Sequence, residues 1–490
     1  MLFNSVEFAI FFPLVTLGYF LLPHRHRWWW LLGASCGFYM FFKAVYILIL
    51  FFTIIIDYYA GLLIAQAHGR RRKWYLGLSL VANVGVLAVF KYYNFLNDTI
   101  SGLYSLLGLG TNPVPYLSIL LPIGLSFHTF QAMSYTIEVY RGRQPAERHF
   151  GVYALYVMFY PQLVAGPIER PQNIIPQFRV QHAFSYPALV SGLQLMAWGL
   201  FQKTVVADRL AVVVDRVYDH HRQYTGLPLV VATGLFAIQI YCDFSGYSDI
   251  ARGAAETMGF RLMRNFDRPY AARSVSEFWR RWHISLSTWF RDYLYRPLGG
   301  NRGSGLRTAA TLLLTFLVSG LWHGARWNFL IWGALHGTYL LVGRWTKPRR
   351  QRLAAAVGLA PDSWLTHGLE VATTTVLVTV AWVFFRAATL EQATYIIGHM
   401  PVGLGAQLAA WPALPALLSD LGLPKTQLLI AAGALGLWVS GQWLRRGGGG
   451  RARVAALPGS VRWAAYYALV VALLLGAYAT ATPEFIYFQF

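Results

Sequence analysis

Charged side chains are scarce in this sequence. Asp, Glu, Lys and Arg make up 12% of its 490 residues, whereas hydrophobic residues make up 56% and aromatic residues 16%. Soluble domains carry about twice that share of charge, so a water-exposed globular fold is excluded. Long apolar runs recur from one end of the chain to the other. The sequence therefore predicts an all-α polytopic membrane protein, because helices satisfy their own backbone groups in lipid.

Cysteine and acidic residues are also few. The two cysteines, Cys36 and Cys242, have neither metal-ligand spacing nor a disulfide framework around them, so we expect them to be packing residues. Asp and Glu number 20 against 41 Lys and Arg, which gives a net charge of +21. The basic residues concentrate in short loops beside apolar runs, as the positive-inside rule and anionic lipids favour. The expected partner of this charge is the lipid bilayer and not nucleic acid.

Several common catalytic motifs are missing. The sequence has no Walker loop, no dinucleotide-binding glycine motif, no nucleophile elbow and no HExxH zinc motif. These absences exclude the enzyme classes that depend on such motifs. We expect no metal and no tightly bound cofactor.

The basic loops predict a topology. They follow the first, third and fifth apolar runs, at Arg25–Arg27, Arg70–Lys73 and Arg141–Arg148. Assigning them to the cytoplasm places the N-terminus outside. The predicted spans are 3–22, 30–42, 46–66, 75–95, 117–139, 188–206, 227–241, 369–385, 428–444 and 464–481. Residues 97–115 and 387–426 are expected to be external. The first span lacks a basic leader and a cleavage site, so we expect it to be retained.

An ionisable residue interrupts one apolar segment. His323 stands between the apolar runs 308–321 and 329–343, and basic residues flank both outer ends. Each run is about 21–22 Å long as a helix, less than the ~30 Å hydrocarbon core. We expect a hairpin of two short helices with His323 at its tip, about 20 Å from the cytoplasmic side. Ionisable residues at membrane depth mark functional sites, so His323 is predicted to be a catalytic base. The alternative is a tryptophan-packed histidine that holds the break.

An amphipathic segment precedes this hairpin. An apolar stripe at helical spacing predicts a single helix over 277–298. The stripe is formed by Trp279, Trp282, Leu286, Trp289 and Tyr293. Such a helix lies at the membrane interface or against the bundle. His283 belongs either to the active site or to a local cap with Ser287. His336, in the second half of the hairpin, is expected to hydrogen-bond across it.

A polar cluster follows the apolar run 227–241. Asp243 and Tyr247 stand four residues apart, as do Ser245 and Asp249, so each pair lies on one helical face. Carboxylates at membrane depth are costly unless they are compensated. The cluster is either a satisfied network that fixes helix packing or the lining of a passage near His323. Further supporting residues of the predicted site are Trp322, Asn328 and His336.

Motifs along nearly the whole chain resemble the membrane-bound O-acyltransferase (MBOAT) superfamily, in its bacterial alginate O-acetyltransferase-like branch. The matching segments are Met1–Ser5, Phe127–Arg141, Gly166–Arg170, Tyr241–Asp249, Phe278–Gly300, Val318–Gly337 and Phe485–Phe490. The resemblance implies one membrane domain over 1–490, with its catalytic core at about 120–343. It also implies a ring of roughly eleven spans, with re-entrant and interfacial helices around a central tunnel.

The resemblance further implies an activity. His323 would be the family's membrane-embedded histidine, and His283 would occupy a position that is histidine or asparagine in the superfamily. The implied donor is acetyl-CoA or another acyl thioester in the cytoplasm, and the implied setting is the bacterial inner membrane with a periplasmic N-terminus. The acceptor would be an alginate- or cellulose-type polysaccharide, reached through a periplasmic acetyltransferase partner.

Chemistry and resemblance together suggest how such a site would act. An acyl thioester is already activated, so the enzyme has to deprotonate a hydroxyl and stabilise an oxyanion. A neutral imidazole suits the first task, and whether His323 also carries the acyl group stays open. The alternatives are transfer of D-alanine, acylation of peptidoglycan, or a secondary transporter. The aromatic tail 485–490 and the external segments are candidate docking surfaces for the partner.

Overall fold

The computed structural model describes residues 1–118, 121–410, 421–422, 424–444, 453–454, 456–477 and 485–486. Helices dominate these residues, and none of them lies in a strand. The chain divides into two compact units. The first unit comprises 1–195, 250–264 and 324–326, and the second comprises 196–249, 265–323 and 327–490.

The first unit is built from short and medium-length helices. They are α1 (Val6–Leu21), α2 (His24–Met40), α3 (Ile47–Gln66), α4 (Gly69–Leu87), α5 (Tyr93–Leu106), α6 (Leu125–Tyr140), α7 (Phe150–Met158), α8 (Tyr160–Leu163), α9 (Pro171–Arg179) and the start of α10 (Tyr186–Leu200). A fully buried carboxyl group joins α3 to α4, because Asp57 accepts hydrogen bonds from Ser79 Oγ at 2.6 Å and Asn83 Nδ2 at 2.8 Å. These bonds compensate a polar group within apolar helices.

The second unit contains the longer helices and all predicted site residues. Its elements are α11 (Asp208–Asp219), most of α12 (Leu227–Thr257), α13 (Val275–Arg281), α14 (Ile284–Phe290), α15 (Gly305–His323), α16 (Trp327–Ala356), α17 (Trp364–Arg386), α18 (Leu390–His399), α19 (Leu404–Ala409), α20 (Lys425–Leu444) and α21 (Gly459–Ala477). A π-helical segment, Phe201–Ala207, connects α10 to α11.

Membrane character is confirmed. Among the described residues, six helical segments are long and apolar enough to cross a bilayer, namely Ala44–Gln66, Gly69–Leu106, Leu227–Thr257, Gly305–His323, Trp364–Arg386 and Thr426–Leu444. Shorter apolar helices lie at Val6–Leu21 and Gly459–Leu474. The protein is therefore a multi-pass helical membrane protein, while the number of eleven spans stays a prediction.

Some predicted boundaries are wrong. The helix expected over 75–95 continues through a π segment, Ala88–Tyr92, into α5, so the first part of the predicted loop 97–115 is helical. The chain after α5 returns along it, and Asn94 and Asn97 donate to the carbonyls of Leu117 and Val114 at 2.9 and 3.1 Å. The next helix begins at Leu125 instead of residue 117, after Gly124 at φ 77°. Helix α2 also starts earlier than expected, at His24.

The hairpin around His323 exists, but its helices are longer than predicted. Helix α15 begins at Gly305, where the Ser304 hydroxyl accepts from the Arg307 amide at 3.3 Å, and it ends at His323. Nineteen residues make a helix of about 28 Å, close to the thickness of the hydrocarbon core, and this segment is long and apolar enough to cross a bilayer. The expectation that this first helix of the hairpin is too short to span is therefore wrong. A basic residue within the first turn does not end such a helix, because its side chain extends toward water.

The amphipathic segment 277–298 is not one helix. It divides into α13, α14 and a π segment, Arg291–Tyr295, with a break at Trp282 and His283. The predicted apolar stripe is nevertheless buried at Trp279, Trp282, Leu286 and Trp289. The segment 387–426, predicted to be external, contains α18 and α19. Its residues 411–420 and 423 lie outside the described part of the chain, as do residues 478–481 of the last predicted span.

Candidate active site

His323 lies at the end of α15, inside an aromatic cage. Its side chain is 4% exposed. The imidazole centroid is 4.9 Å from the Trp322 ring, 4.9 Å from the Trp332 ring and 5.3 Å from the Phe385 ring, with all three arranged edge to face. The three rings come from α15, α16 and α17, so the packing of these helices orients the imidazole. Surrounding rings of this kind keep bulk water away from a reacting group.

His283 lies in the break between α13 and α14. It adopts φ 42° and ψ 56°, the left-handed region that residues other than glycine rarely occupy. Its side chain is fully buried, with the imidazole 4.6 Å from the Phe244 ring and 6.5 Å from the Phe266 ring. Burial among these rings lowers the pKa of His283 to about 3. The imidazole is therefore neutral at ordinary pH.

Trp322 brings the two predicted histidines into one cluster. Its indole centroid is 5.9 Å from His283 and 4.9 Å from His323, and the side chain is 3% exposed. Forty residues of sequence separate the two histidines, and the fold places both against the same ring. The site that the sequence predicted from separate motifs is thus one aromatic and imidazole cluster.

His336 contacts the same tryptophan ring, Trp332, as His323 does. The Trp332 ring lies 4.9 Å from His323 and 4.8 Å from His336. Trp279 Nε1 donates to His336 Nδ1 at 3.3 Å, so the partner of His336 belongs to α13 and the expectation of a bond across the hairpin is wrong. A neutral imidazole that accepts at Nδ1 carries its hydrogen on Nε2. This arrangement fits a structural role more directly than a catalytic one.

The polar cluster of α12 is paired with residues on the preceding helix. Lys203 Nζ lies 2.7 Å from Asp243 Oδ1 and 2.8 Å from Asp208 Oδ1, and all three side chains are buried. Gln202 Nε2 donates to Asp249 Oδ2 at 3.3 Å, and Gln202 Oε1 accepts from Ser245 Oγ at 2.9 Å. These contacts agree with the packing interpretation of the cluster. The passage interpretation stays a prediction.

The tail of the chain packs against the same helix. Asp243 Oδ2 accepts from the backbone N–H of Ile486 at 2.9 Å, and the Phe485 ring stacks on Tyr247 at 4.7 Å. Phe485 and Ile486 are 2% and 4% exposed. These two residues are therefore not an exposed docking surface, contrary to the expectation for the tail. Residues 487–490 lie outside the described part of the chain.

Asn328 supports the helix framework. Its amide donates to the Ala387 carbonyl at 2.9 Å, and its side chain is 3% exposed. The bond connects the start of α16 to the end of α17, which carries Phe385. Asn328 thus acts on the cage of His323 through the position of two helices.

Sequence reasoning missed two important residues. Lys203 lies within the apolar segment 188–206, where a lone cation is itself a signal that a buried anion is nearby. Trp332 lies within the matching segment Val318–Gly337, but nothing in its spacing indicates that its ring contacts two histidines. Among the described residues, no group of His, Cys, Asp and Glu side chains could hold a metal ion.

Comparison with known proteins bears on the chemistry of this cluster. The family model described as MBOAT, membrane-bound O-acyltransferase family, matches residues 74–384. A probable alginate O-acetylase AlgI of Azotobacter vinelandii is 40% identical over 397 residues, which cover 80% of this chain and 76% of the relative. A peptidoglycan O-acetyltransferase of Helicobacter pylori is 34% identical over 440 residues, covering 82% and 80%. A teichoic acid D-alanyltransferase of Streptococcus thermophilus is 26% identical over 274 residues, covering 51% and 64%.

Proposed function

This chain belongs to the membrane-bound O-acyltransferase family, and from that premise we propose that it moves an acetyl group from a cytoplasmic thioester donor to a periplasmic acceptor. The acyltransferase class follows from the family match over 74–384 and from relatives at 34–40% identity. The donor is acetyl-CoA or another acyl thioester. The acceptor is an exopolysaccharide of the alginate or cellulose type, or a periplasmic acetyltransferase that modifies it, and the protein resides in the inner membrane with its N-terminus in the periplasm.

One observation carries the proposal. His323 is a buried imidazole at a helix end, caged by Trp322, Trp332 and Phe385. It lies at a break between two helices, and irregular backbone at membrane depth is tolerated only where it is buried in protein or lines a cavity. A histidine with only a packing role would need neither the break nor a second buried imidazole beside Trp322.

The proposed chemistry is proton transfer followed by acyl transfer. His323 takes the proton of the acceptor hydroxyl, whose oxygen attacks the thioester carbonyl and forms a tetrahedral intermediate. The C–S bond then breaks, and the leaving thiolate receives the proton from the imidazolium. Neutral His283, which also lies beside Trp322, is proposed to donate a hydrogen bond to the oxyanion.

The test measures base-released acetate on extracellular polymer. Cells carry wild type, His323→Ala or His367→Ala at matched membrane expression; His367 is a partly exposed histidine and serves as the control. Loss of acetate with His323→Ala alone supports the proposal. Full acetylation with His323→Ala reduces that residue to packing.

A second candidate is transfer of a D-alanyl group, because a teichoic acid D-alanyltransferase is among the relatives. Measuring alanine in the same base-released fraction separates the two. We favour acetyl because the acetyl-transferring relatives align over a larger share of this chain, 80–82% against 51%.

A further inference from the structure

His283 occupies the N-cap position of α14, but its side chain does not cap the helix. The first amides of a helix have no partner within the helix, and a Ser, Thr, Asp or Asn at the N-cap ordinarily accepts from one of them. His283 makes no side-chain hydrogen bond to the start of α14, and its imidazole lies against Phe244 and Trp322 instead. The start of this helix therefore needs an acceptor from elsewhere in the chain.

Asn265 supplies that acceptor from eighteen positions earlier in the chain. Its backbone carbonyl accepts from the Ile284 amide at 2.9 Å. Its side-chain Oδ1 accepts from the Ser285 amide at 3.2 Å and from the Ser285 hydroxyl at 2.8 Å. Asn265 and Ser285 are 1% and 0% exposed, so water does not replace these bonds in the folded protein. Asn265 satisfies the two amides that immediately follow His283.

A third bond fixes the orientation of the Asn265 side chain. Asn265 Nδ2 donates to Ser248 Oγ at 3.3 Å, and Ser248 is on α12 beside the polar cluster. The Asp267 amide donates to the Arg281 carbonyl at 2.9 Å, so the segment that begins at Asn265 is paired with both sides of the break. Among the described residues, Arg268 and His283 are the non-glycine residues with positive φ, and both lie in this paired segment. Such conformations persist where surrounding contacts over-determine them.

We propose that Asn265 is a positioning residue that caps α14 in place of His283 and thereby holds the His283 imidazole against Trp322. Its consequence for catalysis rests on the proposed function, since only an active-site histidine requires such orientation. Without the carboxamide, the Ser285 amide loses its acceptor, and the left-handed turn at His283 relaxes toward a commoner conformation. The imidazole then leaves its place beside Trp322.

The first test reads the conformation directly. Hydrogen–deuterium exchange of full-length protein in detergent is followed in peptides spanning 282–290, for wild type, Asn265→Ala and Asn265→Asp. We expect about tenfold or greater acceleration in Asn265→Ala, because a buried amide loses its bond. Asn265→Asp keeps an acceptor for Ser285 and restores most of the protection. The matched control is Asn97→Ala, another buried asparagine, which bonds a loop carbonyl in the first unit and leaves exchange in 282–290 unchanged.

The second test reads the coupling to His283. In acetyl-transfer assays, Asn265→Ala should lower kcat by about ten- to a hundredfold with KM nearly unchanged, since misplacement of an active-site group costs rate. In a His283→Ala background the same substitution should have no further effect, because residues that act through one another are non-additive.

Two results overturn the inference: unchanged exchange over 282–290 in Asn265→Ala, or an equal loss of rate in both backgrounds. If wild type transfers no acetyl group, the proposed function fails, while the exchange measurement still decides whether Asn265 holds the turn.

Discussion

The Trp322 indole lies against the His283 imidazole, with ring centroids 5.9 Å apart, and its other neighbour in the cluster is His323 at 4.9 Å. A buried apolar ring that contacts two imidazoles sets the spacing of both and keeps water from the space beside them. The proposed donor, a thioester, is prone to hydrolysis, so we predict that this ring has a chemical task as well as a packing one.

Replacing Trp322 tests that task. Trp322→Phe keeps an apolar ring and should retain most acetyl transfer, whereas Trp322→Ala should lose about tenfold or more, because both imidazoles lose a common neighbour. Thioester hydrolysis without transfer should rise in Trp322→Ala. Assays of free acetate and polymer-bound acetate in membranes measure both effects. Trp345→Ala removes an exposed tryptophan of α16 and is the control; equal behaviour of Phe and Ala at position 322 contradicts the prediction.

The buried pairing of Lys203 predicts a large stability effect. Lys203→Met leaves Asp208 and Asp243 without their cation, and removal of one partner from a buried pair costs about 3–5 kcal/mol. Asp243→Asn leaves the Lys203–Asp208 contact and should cost less. Arg222→Met breaks an exposed pair with Glu391 and should cost about 1 kcal/mol or less. Thermal unfolding in detergent ranks the three variants, and a Lys203→Met protein as stable as Arg222→Met would refute this assignment.

Close packing of α15 on α16 depends on two glycines. A Cβ at Gly320 would lie 2.1 Å from the Phe329 carbonyl oxygen, and one at Gly333 would lie 2.2 Å from that of Phe316. Alanine at either position should therefore separate the helices, at a cost of about 1–3 kcal/mol, and lower activity by disturbing the cage of His323. Gly343, on the same α16, has no atom within 4 Å of such a Cβ. Gly343→Ala should be neutral or stabilising by up to about 1 kcal/mol, as thermal unfolding would show.

The burial of His283 predicts a pH effect on stability. Unfolded histidine titrates near 6.5, whereas burial lowers the pKa of His283 in the folded protein to about 3. Between these two pH values the unfolded state binds one proton more than the folded state. The contribution of His283 to stability is therefore fully present above about pH 6.5 and is lost progressively as the pH falls toward 3. Asparagine at position 283 binds no proton. His283→Asn should therefore lose less stability than wild type between pH 7 and pH 5, measured as thermal unfolding at both; an identical loss would argue against the buried neutral imidazole.

Local sequence patterns predicted that the helices near the site exist, but predicted less well where each helix begins and ends. Apolar runs marked α15, α16 and α17, because burial in lipid is a property of composition over a whole segment. The predicted run began at residue 308 and not at Gly305, because the charged Arg307 is typical of the boundary of a membrane span. The single helix over 277–298 was wrong because periodicity does not register a break held by residues elsewhere.

The amino-acid sequence by itself determined the membrane class, the acyltransferase resemblance, the turn after His323 and the buried stripe of the amphipathic segment. Each of these depends on composition or on spacing within a few helical turns. Tertiary structure alone decided that Trp322 contacts His283, that Lys203 pairs with Asp243, and that Asn265 caps the helix after His283. These contacts join residues 19 to 40 positions apart, and only the packing of whole helices, not any local period, brings such residues into contact.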